Sequence, residues 1–351
     1  MAMKGEVNRA IDVNVAAFFA LCKRLVVFWP EAGAATMAVT WWLRATGITR
    51  KASPTNVFGV LPERVPMQQV ILIAVLGTMV YAVSLDLKVE DFRYVARHPV
   101  AVGIGLAAQF VLLPLATLGV TLLLDLSPAV EAAMLLVSAC PGGASSNVIT
   151  HLGRGNLALS LSISAVSNVL ALIFTPLNFS LMIAANPATA GWIRSISVDP
   201  KDLVVSLLLL LAVPMAAALL TSRLAPALTA KIQKPLERFA IVALILFIVI
   251  AVAGQWKTFL MALATVFPLV VAHNALGLGL GWGASTLAGL NSADRRAVTI
   301  EGGMQNSGLA LGIIAAQFSS NVEMVSIAGL WGIWHLISGG TLAFFWRRSG
   351  K

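Results

Sequence analysis

From Met67 to Trp346 the chain is a succession of long apolar runs, and no other feature limits its fold so tightly. Nine runs can be read, at approximately 67–85, 98–124, 128–150, 156–185, 203–221, 239–254, 259–288, 294–318 and 324–346. A bilayer core takes about 20 apolar residues per helix, so each run is predicted to be a membrane span. The longer runs must tilt, kink or break. Turn chemistry fills the gaps, as Ser127-Pro128, Asn186-Pro187, Asp199-Pro200 and Asn291-Ser292. Of the 351 residues, 58% are hydrophobic and 11% charged, against roughly 25% charged in a soluble domain. Such a chain cannot clothe a water-facing surface, and the lipid bilayer is its solvent. The predicted fold class is an all-α polytopic membrane protein.

A formal charge of +9 would suggest nucleic acid only if a soluble fold carried a basic face. Here the Lys and Arg residues sit in the short gaps, so no nucleic-acid partner is expected and the charges report topology. One set of alternate gaps holds thirteen: Lys88, Arg93, Arg97, Arg154, Arg223, Lys231, Lys234, Arg238, Arg295, Arg296, Arg347, Arg348 and Lys351. The other holds Arg194, Lys201 and Lys257. The positive-inside rule then places the first set and the C-terminus in the cytoplasm of a multi-pass protein of the cell inner (plasma) membrane. Residues 1–66 are basic and lack a clean apolar stretch. A tenth span over 25–43 is predicted there, although Pro30 and Glu31 interrupt it, with an interfacial helix as the alternative. Cys22 and Cys140 make neither a disulfide framework nor a metal spacing, and no cleavable signal peptide is evident. No residue pattern sets an oligomeric state.

Two runs carry interruptions. The third contains Cys140-Pro141-Gly142-Gly143-Ala144-Ser145-Ser146-Asn147, and the eighth contains Glu301-Gly302-Gly303-Met304-Gln305-Asn306-Ser307. Pro and paired Gly cannot sustain an ideal helix. The backbone groups they free are tolerated at membrane depth only within protein or beside a polar cavity. The second broken run comes five spans after the first, an odd number, so the two cross in opposite directions. This is the layout of an inverted-repeat transporter with two discontinuous helices meeting near the midplane. A lone Gly pair would more simply let helices pack closely; two pairs, each followed by amide side chains, outweigh that reading.

Glu301 is the sharpest single residue, an acid well inside a run with no Lys or Arg in any span to meet it. An ionised carboxylate there costs at least about 2.5–3.5 kcal/mol unless a partner offsets it. A bound cation is the simplest partner, and a protonated Glu hydrogen-bonded between helices is the structural alternative. Gln109 in the second run and Ser160 and Ser164, one turn apart in the fourth, add hard oxygen donors. Serine in a membrane helix more often back-bonds to its own turn. With no thiolate or imidazole cluster, the donor set suits Na⁺ over a transition metal.

The Pro-Gly-Gly break ending in Ser-Asn and the later Glu-x-Gly-Met-Gln-Asn segment resemble the bile acid:sodium symporter family, over about four fifths of the chain from Met67 to Trp346. The resemblance implies ten helices, a core domain with two crossed discontinuous helices (approximately 98–185 and 259–346), and a panel domain (approximately 67–85 and 203–254). It implies sodium-coupled symport of an organic anion, either a carboxylate or a bile-acid-like molecule, by alternating access. Two Na⁺ sites are implied. The first takes Ser146, Asn147, Ser160, Ser164 and Glu301. The second takes Gln109, Glu301, Gly302, Met304 and Gln305, with Gly302 and Met304 offering backbone carbonyls. Ala144, Ser145, Asn306 and His335 would face the small organic anion.

Two other readings compete. An arsenite efflux permease of the same superfamily is kept open by Cys140 beside the break, although a buried Cys is more often a small hydrophobe. An intramembrane enzyme lacks a nucleophile–base pair: His98 and His151 lie at span ends, and His273 and His335 have no acid near them in sequence.

Overall fold

The computed structural model describes residues 67–85, 87, 89–143, 145–196, 200–254, 256–318 and 321–348. All belong to one compact unit, Arg64–Lys351. The N-terminal segment, including the span expected over 25–43, lies outside the described residues.

Each apolar run read from Met67 onward is helical. In chain order the elements are α1 (Met67–Ser84), α2 (Val89–Arg97), α3 (Pro99–Ala107), a π-turn (Ala108–Leu112), α4 (Leu113–Leu123) and α5 (Pro128–Ala139). They continue as α6 (Ser145–Leu152), α7 (Leu157–Ala185), α8 (Pro187–Ser195), α9 (Pro200–Leu224), α10 (Pro226–Gly254) and α11 (Trp256–Leu287). The last three are α12 (Ser292–Gly303), α13 (Ser307–Gln317) and α14 (Val322–Arg348). There is no strand among the described residues. Among the described residues five continuous stretches are long and apolar enough to cross a membrane: Pro99–Leu123, Leu157–Ala185, Val204–Leu224, Leu263–Leu287 and Val322–Arg348. The third and eighth runs are each split into two short helices, α5–α6 and α12–α13.

Helix starts follow the punctuation in the gaps. Ser127 caps α5, accepting from Val130 N at 3.4 Å, with Pro128 at the first helical position. Asn186 accepts from Ala188 N and Thr189 N to open α8, and Asn291 accepts from Ala293 N and Asp294 N to open α12. These side chains satisfy amides that a helix start leaves without partners. At the far end of α12 and α7 from the breaks, Asn156 donates to Tyr94 Oη (2.9 Å) and Asp294 Oδ1 (2.7 Å), tying α2, α7 and α12 together.

The closest helix contact is α11 on α12, and it depends on missing side chains. A Cβ at Gly277 would lie 2.7 Å from Gly302 O, and one at Gly281 would lie 2.7 Å from Val298 O and 3.0 Å from Thr299 Cα. Small residues four apart let two membrane helices approach to backbone contact. Gly279, on the same helix, would meet nothing within 4 Å. Gly281→Ala is therefore expected to destabilise the detergent-purified protein by about 1–3 kcal/mol, read as a lowered melting temperature. Gly279→Ala should be neutral or slightly stabilising, since Ala is the better helix former. Equal melting temperatures for the two variants would count against a close-packed seam.

Candidate functional site

The two helix breaks lie side by side and pair their backbones. Gly142 and Gln305 form an isolated antiparallel bridge. Gly143 N donates to Met304 O at 3.1 Å, and Asn306 N donates to Pro141 O at 2.8 Å. Backbone groups released by the Pro and Gly residues thus find partners in each other, as the interior of a membrane protein demands. Cys140, the C-cap of α5, is extended (φ −75°, ψ 153°), as the end of a helix running into Pro141 should be.

Glu301 sits in the last turn of α12, fully buried. Its Oε1 accepts from Ser146 Oγ (2.6 Å), Ser160 Oγ (2.5 Å) and Ser164 Oγ (3.0 Å). Its Oε2 accepts from Ser164 Oγ (3.2 Å) and Gln109 Nε2 (3.2 Å), and the same Gln109 amide donates to the Glu301 carbonyl (2.9 Å). These partners are all neutral. α6, α7, α12 and the π-turn each contribute, so residues spread from 109 to 301 converge on one carboxylate.

Protons are scarce in this nest. Ser146 Oγ also lies 2.7 Å from Gly143 O. Ser160 Oγ also lies 2.9 Å from Asn147 Oδ1 and 3.3 Å from Thr150 Oγ1, and Ser164 Oγ lies 3.5 Å from Asn147 Oδ1. A hydroxyl has one proton and two lone pairs, so each serine can donate to only one of the acceptors it approaches. The Thr150 hydroxyl can supply the proton for its own contact with Ser160, but the remaining approaches set lone pairs against each other, which is unfavourable unless a cation sits among them. Protonating Glu301 would add one proton and still leave several approaches without one.

A second set of oxygens adjoins the first. Gln109 and Gln305 are fully buried, and the Oε1 atom of each has no hydrogen-bond partner among the described residues. Gln305 Nε2 donates to Gly302 O (3.2 Å), and Met304 O accepts from Gly143 N. Both carbonyls keep a spare lone pair. A buried, unpaired carbonyl oxygen costs about 1–3 kcal/mol, and two of them flanking the break fit a hard cation better than an apolar packing role. No group of three or more His, Cys, Asp or Glu that could hold a metal ion occurs among the described residues.

Beside the breaks opens a small cavity. Pro141 and Asn306 reach it from the two breaks, Ser84 and Met79 from α1, Asn168 and Leu172 from α7, and Leu211 and Met215 from α9. Among the described residues its polar groups are the two asparagines and Ser84, and no basic side chain lines it. Asn306 spends its Oδ1 on Leu309 N, capping α13 (2.9 Å), which leaves its amide nitrogen to donate. Of the other residues expected to face the anion, Ser145 opens α6 half-buried and His335 is buried on α14, neither of them lining this cavity, and Ala144 lies outside the described residues. Cys140 is fully buried and also does not line it.

Three features escaped the sequence reading. Thr150 belongs to the serine nest, and Asn168 lines the cavity. Asn168 follows Ser164 at helical spacing of four on α7, so extending the Ser160–Ser164 stripe by one turn would have found it. Glu131 is also buried, in the first turn of α5, where it accepts from Asn186 Nδ2 at 3.0 Å. Its position near a span end masked it.

The Sodium Bile acid symporter family matches residues 73–262 of the chain. An uncharacterized sodium-dependent transporter of Bacillus subtilis, YocS, is 32% identical over 276 residues, covering 79% of this chain and 83% of that protein. A probable sodium/metabolite cotransporter of rice chloroplasts, BASS2, is 30% identical over 78% of this chain, and the match spans 63% of the rice protein. The human ileal sodium/bile acid cotransporter is 28% identical over 71% of this chain and 70% of its own length. Together with an all-helical, membrane-spanning architecture, these matches place the chain: it belongs to the sodium bile acid symporter family.

Proposed function

We propose that this chain is a sodium-coupled symporter of a small organic anion. The observation that carries the reading is the buried Glu301 carboxylate among serine and amide oxygens that have too few protons to satisfy one another. One Na⁺ would lie among Ser146, Asn147, Ser160, Ser164 and Glu301. A second would lie among Gln109, Glu301, the carbonyls of Gly302 and Met304, and Gln305, where two glutamine oxygens stand unpaired. A hydroxyl can donate to the carboxylate and still offer a lone pair to the ion, so the serine contacts and ion binding are compatible.

The anion would occupy the adjoining cavity, held by the amides of Asn306 and Asn168. With no basic side chain in the lining among the described residues, the charge of the anion is met by helix N-termini and by co-bound sodium, which makes ion and substrate binding interdependent. Alternating access follows from the opposed breaks, with a core (approximately 98–185 and 259–346) moving against a panel (approximately 67–85 and 203–254). The cavity, bounded by α1 and α9 on one side and α7 and the breaks on the other, supports that division. The protein would sit in the plasma membrane with its C-terminus in the cytoplasm.

Two Na⁺ with one monovalent anion move one net positive charge inward per cycle. An interior-negative potential then adds about 2.3 kcal/mol per 100 mV to the sodium gradient. Anion uptake into proteoliposomes is expected to require sodium and to rise with a potassium–valinomycin potential. Equal uptake in choline buffer would remove the symport reading.

A further inference from the structure

His273 and Asn274 are neighbours on α11, and both are buried. Asn274 Nδ2 donates to Gly303 O at 2.6 Å, and Ser338 Oγ on α14 donates to Asn274 Oδ1 at 2.6 Å. Gly303 is the last residue of α12, where helix carbonyls run out of intrahelical donors. Asn274 satisfies one of them from a neighbouring helix, and Ser338 holds the Asn274 amide in the orientation that can donate.

His273 reaches the other way. Its Nε2 lies 2.7 Å from Thr117 Oγ1 on α4. Thr117 Oγ1 also lies 2.7 Å from Leu113 O, so when its single proton goes there the Nε2–H tautomer of His273 is the donor to Thr117. α4 continues through the π-turn that holds Gln109, and the Phe110 carbonyl in that turn accepts from Asn178 Nδ2 at 2.9 Å. α11 is therefore hydrogen-bonded to α4, which follows the π-turn of Gln109, and to the end of α12, two residues before Gln305.

The Asn274 contact is the more consequential. A peptide group is planar, so fixing the Gly303 carbonyl toward α11 fixes the plane joining Gly303 to Met304. That plane sets where the flanking Gly302 and Met304 carbonyls and the Gln305 side chain can point. We propose that Asn274, oriented by Ser338, is a positioning residue for the second sodium site and acts on it selectively. The first site draws Ser146 and Asn147 from α6 and Ser160 and Ser164 from α7, and Asn274 hydrogen-bonds to none of them. The inference rests on the sodium-symport reading above.

The test is equilibrium binding of radioactive sodium to the detergent-purified full chain, without any anion, with choline holding the ionic strength. Wild type should bind two ions. Asn274→Leu, near-isosteric but without the donor, should weaken one of the two by about tenfold, the worth of one well-made hydrogen bond, and leave the other unchanged. Ser338→Ala keeps the donor but frees it, and should shift the same ion by a smaller factor, about threefold, within the range for one hydrogen bond. Ser338→Thr keeps the hydroxyl and should restore wild-type binding. If Asn274→Leu cannot be purified, the Ser338 pair decides. Unchanged sodium affinities overturn the proposal, as does equal weakening of both ions with a lowered sodium-free melting temperature, which would mark a merely structural contact. Absence of sodium binding in the wild type would instead remove the symport reading, and this proposal with it.

Discussion

Glu301→Gln is expected to abolish sodium-dependent uptake while leaving the protein folded. The substitution keeps the side-chain shape and one acceptor oxygen, and the hydroxyls of Ser146, Ser160 and Ser164 can rotate to accept from the new amide. Folding should therefore survive; removing a charge with no basic partner also relieves a desolvation cost. What disappears is the one negative charge shared by both proposed ion sites. At a separation of about 4 Å and an effective dielectric of about 20, that charge contributes on the order of 4 kcal/mol to each ion, or roughly a thousandfold in affinity. Uptake should fall to the sodium-free background, and sodium should no longer raise the melting temperature. Unchanged sodium dependence would make the carboxylate structural, in line with the alternative of a protonated Glu hydrogen-bonded between helices.

The second large effect concerns one glycine of a pair. A Cβ at Gly142 would lie 2.6 Å from Gln109 Nε2 and 2.6 Å from Glu301 Oε2. Both atoms belong to side chains that could move in isolation, but here they are held. Gln109 is bonded to the Glu301 carbonyl, and the carboxylate is bonded to three serines. Gly142→Ala must therefore push the carboxylate and the amide apart at the point where the two proposed ion sites meet. We expect at least about a hundredfold loss of sodium-dependent uptake, with a stability cost of about 1–3 kcal/mol typical of overpacking. The neighbouring Gly143 supplies the control: its Cβ would find nothing closer than 3.5 Å, an ordinary contact. Gly143→Ala should keep most of the uptake. If both variants transport equally, the break tolerates volume on the carboxylate side, and the close approach of Gly142 to Glu301 has no functional weight.

This contrast between two adjacent glycines also marks the boundary of what residues in a row can tell. The helical spans from Met67 onward, their caps at Ser127, Asn186 and Asn291, and the two breaks follow from local physics. A bilayer demands long apolar helices with internally satisfied backbones, and Pro, Gly and capping side chains act within a turn of themselves. Glu301 stood out for a similar reason, because an acid deep in a run whose basic residues, Arg295 and Arg296, sit at its entry is conspicuous by charge alone. The Sodium Bile acid symporter family could be named from the break motifs, and its match to residues 73–262 agrees.

Tertiary structure alone decided the rest. Ser146 on α6, Ser160 and Ser164 on α7 and Gln109 in the π-turn come from three separate elements, and only packing brings them within 3.2 Å of one carboxylate. The antiparallel pairing of Gly142 with Gln305 joins residues far apart in the chain, and no local preference specifies it. Asn274 and Asn168 are polar residues on otherwise apolar helices, and their spacing does not distinguish a strut from a cavity wall. The difference lies in which neighbour each amide faces, Gly303 O for Asn274 and the cavity for Asn168. A side chain's chemistry is local, but its partner is chosen by the way helices distant in sequence pack, and that choice made a run of serines and amides into a site.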